Sequence, residues 1–423
     1  MLIILLRYGK PMKNKRILFI THYCTMAGAN RSMLQLIQEL RQDYSCWCFV
    51  LLPMSDNLPL KKFLEEGDIP YLEANVWWFK SSYTGINEKV QFLKKLGGIH
   101  GLYEKLKTLK FDLIHSNSGV IDIGHFLSRE LRVKHVWHLR EFGDLDYSLY
   151  PILGNLYQIM TYRCGGDAFV AISNAISNHY KKMIPKEKVH VIYNGICLDK
   201  YNLLAKHENT KLQMVCAGVI MPEKGQKEIV LAVNELVARG IINMHLTLVG
   251  FPTDYYVNEI KDYIEKNHLQ EYVTILPETD DMNHLLSTMD IGIVPSKSEA
   301  FGRVTVEYML QNLAVIVNDS GANCEIVQDG ISGLIYKQGN HVALADKIEE
   351  IIVDRQKMIK LAADGRNRAM QRFLSSYNTE SINNLYEELL QTPYRENLFQ
   401  KYVFNVFLRY QMIKVRSQYS LTK

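Results

Sequence analysis

The sequence contains no Cys-x-x-Cys pair, no internal repeat and no low-complexity segment. Its seven cysteines are scattered along the chain and odd in number. An odd, scattered set argues against a disulfide framework, and it lacks the spacing of zinc ligands. We therefore expect a protein of a reduced, cytoplasmic compartment that binds no structural zinc.

Long apolar runs and strong charge are also missing. The apolar stretch at Leu2 to Leu6 is far too short to cross a bilayer, and no basic region precedes it as in a signal peptide. The net charge is only +4 over 423 residues, so we expect no nucleic-acid partner. The hydrophobic content of 47% and this length are sufficient for two domains with full cores.

Short apolar runs alternate with helical patterns along most of the chain. This alternation predicts an α/β fold with parallel, doubly wound sheets. The predicted strands are Arg16–Ile20, Cys46–Leu52, Ile69–Glu73, Asp112–Asn117, Lys134–Arg140, Ala168–Ser173, Val189–Asn194, Leu212–Cys216, Met244–Val249, Tyr272–Leu276, Ile291–Pro295, Ala314–Asn318 and Gly333–Tyr336. Ligands of such sheets bind beyond the carboxyl ends of the strands.

The most informative stretch runs from Ser296 to Glu307, between a predicted buried strand and a helical pattern. Gly302 lies in the turn, where a missing Cβ lets backbone approach a ligand closely. The helix that follows would present free N–H groups to a phosphate, beside the charge of Arg303. Two structural explanations stay open: Ser296 and Glu299 match a capping box, and Arg303 could simply pair with Glu307.

The segment Ser-Glu-Ala-Phe-Gly-Arg-Val-Thr-Val-Glu, with Glu299 and Glu307 spaced as Glu-x7-Glu, resembles the donor-site motif of the family 4 glycosyltransferases. These are retaining enzymes of the GT-B fold. The resemblance implies two Rossmann-like domains facing a cleft, with a C-terminal helix that crosses back to the first domain. It also implies that Glu307 binds ribose hydroxyls and that Glu299 acts catalytically on the donor sugar. The remaining donor-binding residues of this segment would be Ala300, Phe301, Gly302 and Arg303.

Other matches to the family lie outside this segment. Lys224 and Gly225 stand where the family grips the donor diphosphate, whereas Val219 occupies the position of the family's arginine. We hypothesise that Arg303 supplies that missing charge. Gly28 follows an alanine where the family has two adjacent glycines, and it is predicted to bind the donor. His138 fits a histidine that contacts the donor sugar, although a histidine satisfied by its neighbours near a sheet edge is the alternative.

The resemblance also divides the chain. We predict an N-terminal extension (1–14), an acceptor domain (15–200), a linker (201–211), a nucleotide-sugar domain (212–378), a crossover helix (379–392) and a basic aromatic tail (393–423). The predicted reaction transfers a hexosyl unit from a nucleoside-diphosphate sugar to an acceptor hydroxyl, with retention of configuration. The acceptor would be a lipid-linked glycan of bacterial surface polysaccharide synthesis. An epimerase or phosphorylase of the same fold, or a non-catalytic sugar-binding protein, is the alternative.

No cofactor or divalent metal is expected, because the GT-B class holds the sugar phosphate without one. Asp144-Leu-Asp146 mimics the metal motif of other transferases but is interpreted as a solvated loop. Three segments have alternative interpretations. The lysine-rich stretch 87–110 could rest on an anionic membrane at the inner face of the plasma membrane, or could be a solvated helix pair. The tail could be a membrane-surface or partner helix, or a helix packed on the protein's own surface. Trp77-Trp78-Phe79 could contact acceptor or membrane, or belong to the core.

Overall fold

A computed structural model of the chain describes residues 15–56, 58–201, 211–251, 253–279 and 281–421. The predicted extension 1–14 and most of the predicted linker 201–211 lie outside these residues. The chain forms two compact units. The first unit takes the chain up to Tyr193 and again from Asn378, and the second comprises Asn194–Tyr377.

The first unit is built on a parallel sheet. Its strands, with one short pair outside the sheet, are β1 (Arg16–Ile20), β2 (Trp47–Pro53), β3 (Tyr71–Ala74), β4 (Lys80–Ser81), β5 (Leu113–Ser116), β6 (Lys134–Leu139), β7 (Tyr150–Pro151), β8 (Ala168–Ala171) and β9 (Val189–Val191). Among the described residues, the sheet has seven strands in the order β3-β2-β1-β5-β6-β8-β9. The two-residue strands β4 and β7 pair antiparallel.

Helices connect these strands and cover the sheet. They are α1 (Gly28–Asp43), α2 (Leu58–Glu66), α3 (Ile86–Leu96), α4 (Ile99–Leu106), α5 (Ile123–Leu131), α6 (Asp144–Tyr147), α7 (Asn155–Gly165) and α8 (Asn174–Tyr180). Helix α1 shows how the pattern of the sequence makes this layer. Leu34, Ile37 and Leu40 recur at helical spacing and are buried in the core of the first unit.

The second unit repeats the plan with a parallel sheet of its own. Its strands are β10 (Leu212–Ala217), β11 (Met244–Val249), β12 (Val273–Leu276), β13 (Ile291–Val294), β14 (Ala314–Asn318) and β15 (Leu334–Tyr336). Its helices are α9 (Gln226–Ala238), α10 (Asp254–Lys266), α11 (Met282–Ser287), α12 (Arg303–Leu310), α13 (Asn323–Ile326), α14 (His341–Val353) and α15 (Arg355–Arg372). In the described part of the chain the strand order is β12-β11-β10-β13-β14-β15.

In both sheets the strand order reverses at one place. The reversal lies between β1 and β5 in the first unit and between β10 and β13 in the second. Helices leave the two strands at such a point in opposite directions, so the loops beyond the carboxyl ends separate and leave a crevice for ligands. The predicted strand-helix alternation is therefore realised as two Rossmann-like units, as the predicted fold class requires.

Two long helices end the chain, α16 (Ser375–Leu390) and α17 (Leu398–Leu421). From Asn378 onwards α16 belongs to the first unit, and its Ile382, Leu385 and Tyr386 are buried in that unit's core. Helix α17 packs on α3 and α7. The tail therefore packs on the first unit as a helix. In the described residues, none of the helices combines the length and the sustained apolar character that a bilayer-spanning segment requires.

The Trp77-Trp78-Phe79 segment is part of the protein interior. Trp77 and Phe79 are buried, with 3% and 0% of their surfaces exposed. The Nε1–H of Trp77 donates to Asp122, and that of Trp78 donates to the carbonyl of His22. For Trp77 and Phe79 the core interpretation is confirmed, and the acceptor and membrane interpretations are wrong.

Asp144 and Asp146 were interpreted as members of a solvated loop, and this is wrong. Both lie in the short helix α6. The carboxylate of Asp146 accepts the backbone N–H groups of Phe142 and Gly143 at 2.9 and 2.7 Å, so it closes the turn before the helix. Asp144 lies 3.1 Å from His179 Nε2. Both carboxylates therefore make contacts that stabilise the local fold.

We predict that Phe404→Ala destabilises the first unit. Phe404 is fully buried, and its ring lies against those of His125, Phe126 and Tyr157. Removing a buried phenyl ring costs about 3–5 kcal/mol. The denaturant concentration at which the first unit is half unfolded should therefore fall. It is measured by hydrogen exchange of the backbone amides in α3 and α7. Phe399→Ala on the same helix is the control, because Phe399 is 76% exposed. Equal midpoints for the two variants would contradict the packing of α17.

Candidate functional site

The turn between β13 and α12 lies at the reversal point of the second sheet. Strand β13 is buried along its whole length and leads into a loop that ends at Gly302. Gly302 has φ +90°, in the left-handed region that favours glycine. It is the N-cap of α12, and it has no side chain to occupy the first amides of that helix. The turn therefore presents a helix N-terminus, with its partial positive charge, at the ligand-binding edge of the sheet.

The carboxylate of Glu299 joins this turn to a second one. Its Oε1 accepts the backbone N–H of Gly302 at 3.0 Å, and its Oε2 lies 3.4 Å from Lys224 Nζ. The Glu299 side chain is 15% exposed and that of Lys224 is 37% exposed. Lys224 comes from the turn between β10 and α9. An ammonium group and a helix N-terminus therefore converge on one partly buried anion.

Backbone contacts lock these turns together. The N–H of Lys297 donates to the carbonyl of Glu223 at 2.9 Å, and the N–H of Ala322 donates to that of Glu299 at 2.8 Å. Gly225, with φ +73°, lies so near the carbonyl oxygen of Pro295 that a Cβ would be 2.5 Å from it. Loops from β10, β13 and β14 thus form a single rigid edge that positions Lys224, Glu299 and Gly302.

Other residues of the motif have structural roles. Ser296 lies well before the N-cap of α12, so the capping-box explanation is wrong for Ser296, although Glu299 does accept the Gly302 amide. The side chain of Phe301 is buried against Phe373. Arg303 Nε lies 2.8 Å from Glu307 Oε1, so the local ion pair exists.

In the first unit, polar side chains lie at the carboxyl ends of β5 and β6, at the same edge of the sheet. His115 and His138 are fully buried and face each other, with Nε2 of His115 3.0 Å from Nδ1 of His138. Arg140 Nη2 lies 3.3 Å from the same Nδ1, and Arg140 Nε donates to Asn117 at 2.5 Å. From α16, the hydroxyl of Tyr386 lies 2.6 Å from Nδ1 of His115. His138 is thus the end of a chain of buried hydrogen bonds.

Hydrogen-bond logic assigns the protons in this chain. Arg140 offers only N–H donors, so Nδ1 of His138 is an acceptor. His115 Nε2 must then donate, and His115 Nδ1 accepts the Tyr386 proton. Burial, followed by the charge of Arg140, lowers the pKa of His115 and His138 well below the ordinary value, so both rings are neutral. His138 therefore carries its proton on Nε2, which has no hydrogen-bond partner in the described part of the protein.

Two positions singled out in the sequence, Gly28 and Val219, lie on the surface with few contacts. Gly28 is the first residue of α1. Gly28 is exposed, and a Cβ there would meet nothing within 4 Å, so the fold itself does not require glycine. Val219, at the position of the family's arginine, is 43% exposed beside Gly218. Neither position alone identifies a ligand.

Two buried groups of this edge, Glu141 and Lys80, are not among the predicted site residues. Glu141 is buried, and its Oε1 accepts the Ser118 hydroxyl and the Gly119 N–H, each at 2.6 Å. Burial raises the pKa of Glu141 to about 7. Lys80 is also buried, its Nζ lies 3.2 Å from the Tyr180 hydroxyl, and burial lowers its pKa to about 8. In the sequence, the polar residues from His138 to Glu141 at the end of a predicted strand are the only feature that indicates this cluster. No feature of the sequence indicates Lys80.

Comparisons with known proteins decide the family. The model of the glycosyl transferases group 1 matches residues 204–369, and that of glycosyltransferase family 4 matches residues 26–200. Together they account for most of the chain. The chain belongs to glycosyltransferase family 4. The resemblance carried by Glu299 to Glu307 is thereby confirmed, and the protein is an enzyme of the transferase class.

Relatives of this glycosyltransferase cover nearly its whole length. The capsular polysaccharide biosynthesis glycosyltransferase CapM of Staphylococcus aureus is 25% identical over 90% of the chain and 99% of the relative. The O-antigen biosynthesis glycosyltransferase WclY of Escherichia coli is 24% identical over 83% of the chain and 97% of the relative. The structure of HepE from Anabaena in complex with UDP matches 88% of the chain and 100% of that protein, at 21% identity and a TM-score of 0.74. The GT-B fold is therefore confirmed.

The buried Glu141 generates a prediction about pH. Because its folded pKa is raised from the ordinary 4.5 to about 7, its contribution to stability is complete below 4.5 and is lost as the pH rises through about 7. Glu141→Gln keeps the acceptor oxygen for Ser118 and Gly119 without the charge. We expect the variant to show a shallower decline of the melting temperature over this pH range.

Part of the decline should persist in the variant, because burial also raises the pKa of Asp122 to about 7. Glu130→Gln, on the exposed surface of α5, is the control and should follow the wild type. A parallel decline in the wild type and Glu141→Gln would contradict the assigned pKa of Glu141.

Proposed function

We propose that this glycosyltransferase moves a hexosyl unit from a nucleoside-diphosphate sugar to an acceptor hydroxyl, with retention of the anomeric configuration. The observation that carries the proposal is the convergence of Lys224 Nζ and the Gly302 N–H on one carboxylate, at the reversal point of the second sheet. Two fixed donors aimed at one anion, beside a helix N-terminus, have the chemistry that a diphosphate requires.

The position of Glu299 explains how the donor would enter. Its carboxylate occupies the anion position between Lys224 and the N-terminus of α12. Phosphate oxygens would take the same two donors, and Glu299 would be released towards the hydroxyls of the donor sugar. As the glycosidic bond breaks, negative charge develops on the leaving diphosphate. Lys224, Arg303 and the amides of α12 would stabilise that charge, and positioned electrostatic groups of this kind lower a reaction barrier.

The remaining roles complete the proposal. Glu307 would bind the ribose hydroxyls, and Glu299 would also stabilise positive charge at the anomeric carbon. His138 would donate its Nε2–H to the donor sugar, with the proton held on that nitrogen by His115 and Arg140. Ala300, Phe301, Gly225 and Gly28 would contact the donor through backbone. The proposal assigns no residue as a nucleophile and includes no divalent cation.

The identity of donor and acceptor is inferred from the relatives. HepE of Anabaena has been solved with UDP-glucose, at 22% identity to this chain and a TM-score of 0.72, which supports a nucleotide-sugar donor. CapM and WclY are named for capsular polysaccharide and O-antigen biosynthesis. We therefore propose a role in surface polysaccharide synthesis with a lipid-linked glycan as acceptor, at the cytoplasmic face of the membrane.

We predict that Lys224→Ala abolishes most of the transferase activity. Purified enzyme would be incubated with a panel of nucleotide-sugars, and released nucleoside diphosphate would be measured. The loss of a fixed cation from the leaving group should lower kcat for the accepted donor about a hundredfold or more. Lys227→Ala is the matched control, since Lys227 is near in sequence but is paired with Glu259.

The product of this assay separates the alternatives. The proposal is supported if transfer requires an acceptor and an α-linked donor gives an α-linked product. The anomeric configuration is read from NMR coupling constants. An acceptor-independent change of the sugar would indicate an epimerase, and phosphate-dependent release would indicate a phosphorylase. Equal activity of Lys224→Ala and Lys227→Ala would remove Lys224 from the site.

Arg303→Ala tests whether Arg303 compensates for Val219. If Arg303 contacts the diphosphate, the donor KM should rise about tenfold, in line with the loss of a charged hydrogen bond. Arg239→Ala is the control, because it also breaks an arginine–glutamate pair at the i, i+4 spacing, with Glu235 at 3.0 Å, together with contacts to Asp346 and Glu349. A donor KM that is unchanged in Arg303→Ala would restrict Arg303 to its pair with Glu307.

A further inference from the structure

Helix α17 is apolar on two opposite sides. One side holds the buried Phe404 and Val415 against the first unit. The other side carries a row of exposed apolar residues that recur every three or four positions, which we term the outer ridge. The outer ridge consists of Leu398, Phe399, Tyr402, Val406, Tyr410 and Ile413, each between 49% and 76% exposed. A surface helix normally has one apolar side, which faces the core, so a second apolar side is incomplete without a partner.

The packing of α17 holds the outer ridge in a fixed orientation. Phe404 contacts His125 of α5 and Tyr157 of α7 at ring-centroid distances of 4.9 and 6.2 Å. The Arg129 guanidinium lies over the Phe404 ring at 5.3 Å. Tyr157 also stacks on Phe407 at 6.5 Å. Because these contacts anchor one side, the ridge is a rigid feature of the surface.

Cations surround the outer ridge. Arg409, Lys414 and Arg416 are exposed on α17 itself. Two surface grooves flank the helix: one is bordered by Lys89, Tyr410 and Lys414, the other by Gln400 and the four cations Arg163, Lys181, Lys182 and Lys186. Among the described residues that line these grooves there is no carboxylate. Of the acids nearby, Glu396 is paired with Lys401 at 2.8 Å.

We propose that the outer ridge and its flanking cations form a docking surface for an anionic lipid bilayer. An exposed row of aromatic and aliphatic side chains can enter the boundary between headgroups and acyl chains. Lysines and arginines on both flanks then meet anionic headgroups, each with a favourable contribution. A protein partner would have to supply both an apolar groove and acids on either side, whereas an anionic membrane offers both chemistries over a plane.

The docking surface consists of side chains of the first unit, and the evidence for it does not depend on the proposed donor chemistry. Its consequence for that chemistry is that a lipid-linked acceptor and the enzyme would share one membrane surface. It also gives a common role to Lys89 of α3, Arg163 of α7 and the lysines that follow α8. Removal of the whole tail is a poor test, because the buried Phe404 would be lost with it. Substitutions of outward side chains avoid this problem.

The test is co-sedimentation of the full-length protein with vesicles of phosphatidylcholine, alone or mixed with phosphatidylglycerol. We expect binding to the mixed vesicles and little to the neutral ones. The double variant Phe399→Ser, Ile413→Ser should weaken the partition coefficient about tenfold or more. The matched control is Val353→Ser, Ile359→Ser, which changes two exposed apolar residues of the second unit, 80% and 55% exposed.

The cations are tested separately. The double variant Lys181→Gln, Lys182→Gln should weaken vesicle binding about fivefold for each charge removed. The control is the double variant Lys266→Gln, Lys360→Gln, which removes two charges from the exposed surface of the second unit. Equal sedimentation of the ridge variant and its control, or equal binding to neutral and anionic vesicles, would overturn the proposal. So would a dimer in sedimentation velocity that the ridge variant abolishes, since a second copy would then cover the ridge.

Donor turnover, measured without vesicles, should be the same in the ridge variant and the wild type. Loss of vesicle binding with intact turnover supports the docking surface. Inactive wild-type protein that still binds anionic vesicles would refute the proposed donor chemistry and leave the docking surface in place.

Discussion

The carboxylate of Glu299 is the interaction on which the candidate site depends. It stands between the ammonium group of Lys224 and the N-terminus of α12, two positive groups that would otherwise face each other without an anion. The parallel sheet brings them together, because β10 and β13 are neighbours and their carboxyl ends lie at the same edge. Gly225 and Gly302 make the close approach possible, since both have left-handed backbone conformations that glycine adopts without strain.

The first unit uses its corresponding edge in a different way. Its polar residues are buried, and they are connected from α16 to β6 through Tyr386, His115 and His138. Burial keeps the histidines neutral, and the hydrogen bonds then determine which nitrogen of His138 carries the proton. A network of hydrogen-bonded side chains in a low-dielectric interior specifies one arrangement, because every alternative leaves a buried polar group without a hydrogen bond. The crossover helix therefore contributes to the chemistry of a residue that lies far from it in sequence.

Most strands could be predicted from the sequence, and their ends agree with the structure within about three residues. Buried parallel strands are short apolar runs, so β1, β11 and β14 begin and end at the predicted residues. The start of α6 was missed, because the sequence pattern Asp144-Leu-Asp146 is interpreted as a loop. Such starts depend on caps such as the Asp146 carboxylate, and the partners of a cap are known only once the loop has folded.

The sequence by itself determined the family, the alternation that makes two Rossmann-like units, and the motif residues from Glu299 to Glu307. The alternation and the motif are local in sequence, and the resemblance of the motif indicated the family. Only the tertiary structure decided that Glu299 faces Lys224, that Tyr386 reaches His115, and that α17 leaves one apolar side outward. The physical reason is distance along the chain: these residues are separated by up to 271 positions, and only the order of the strands and the packing of helices brings them together.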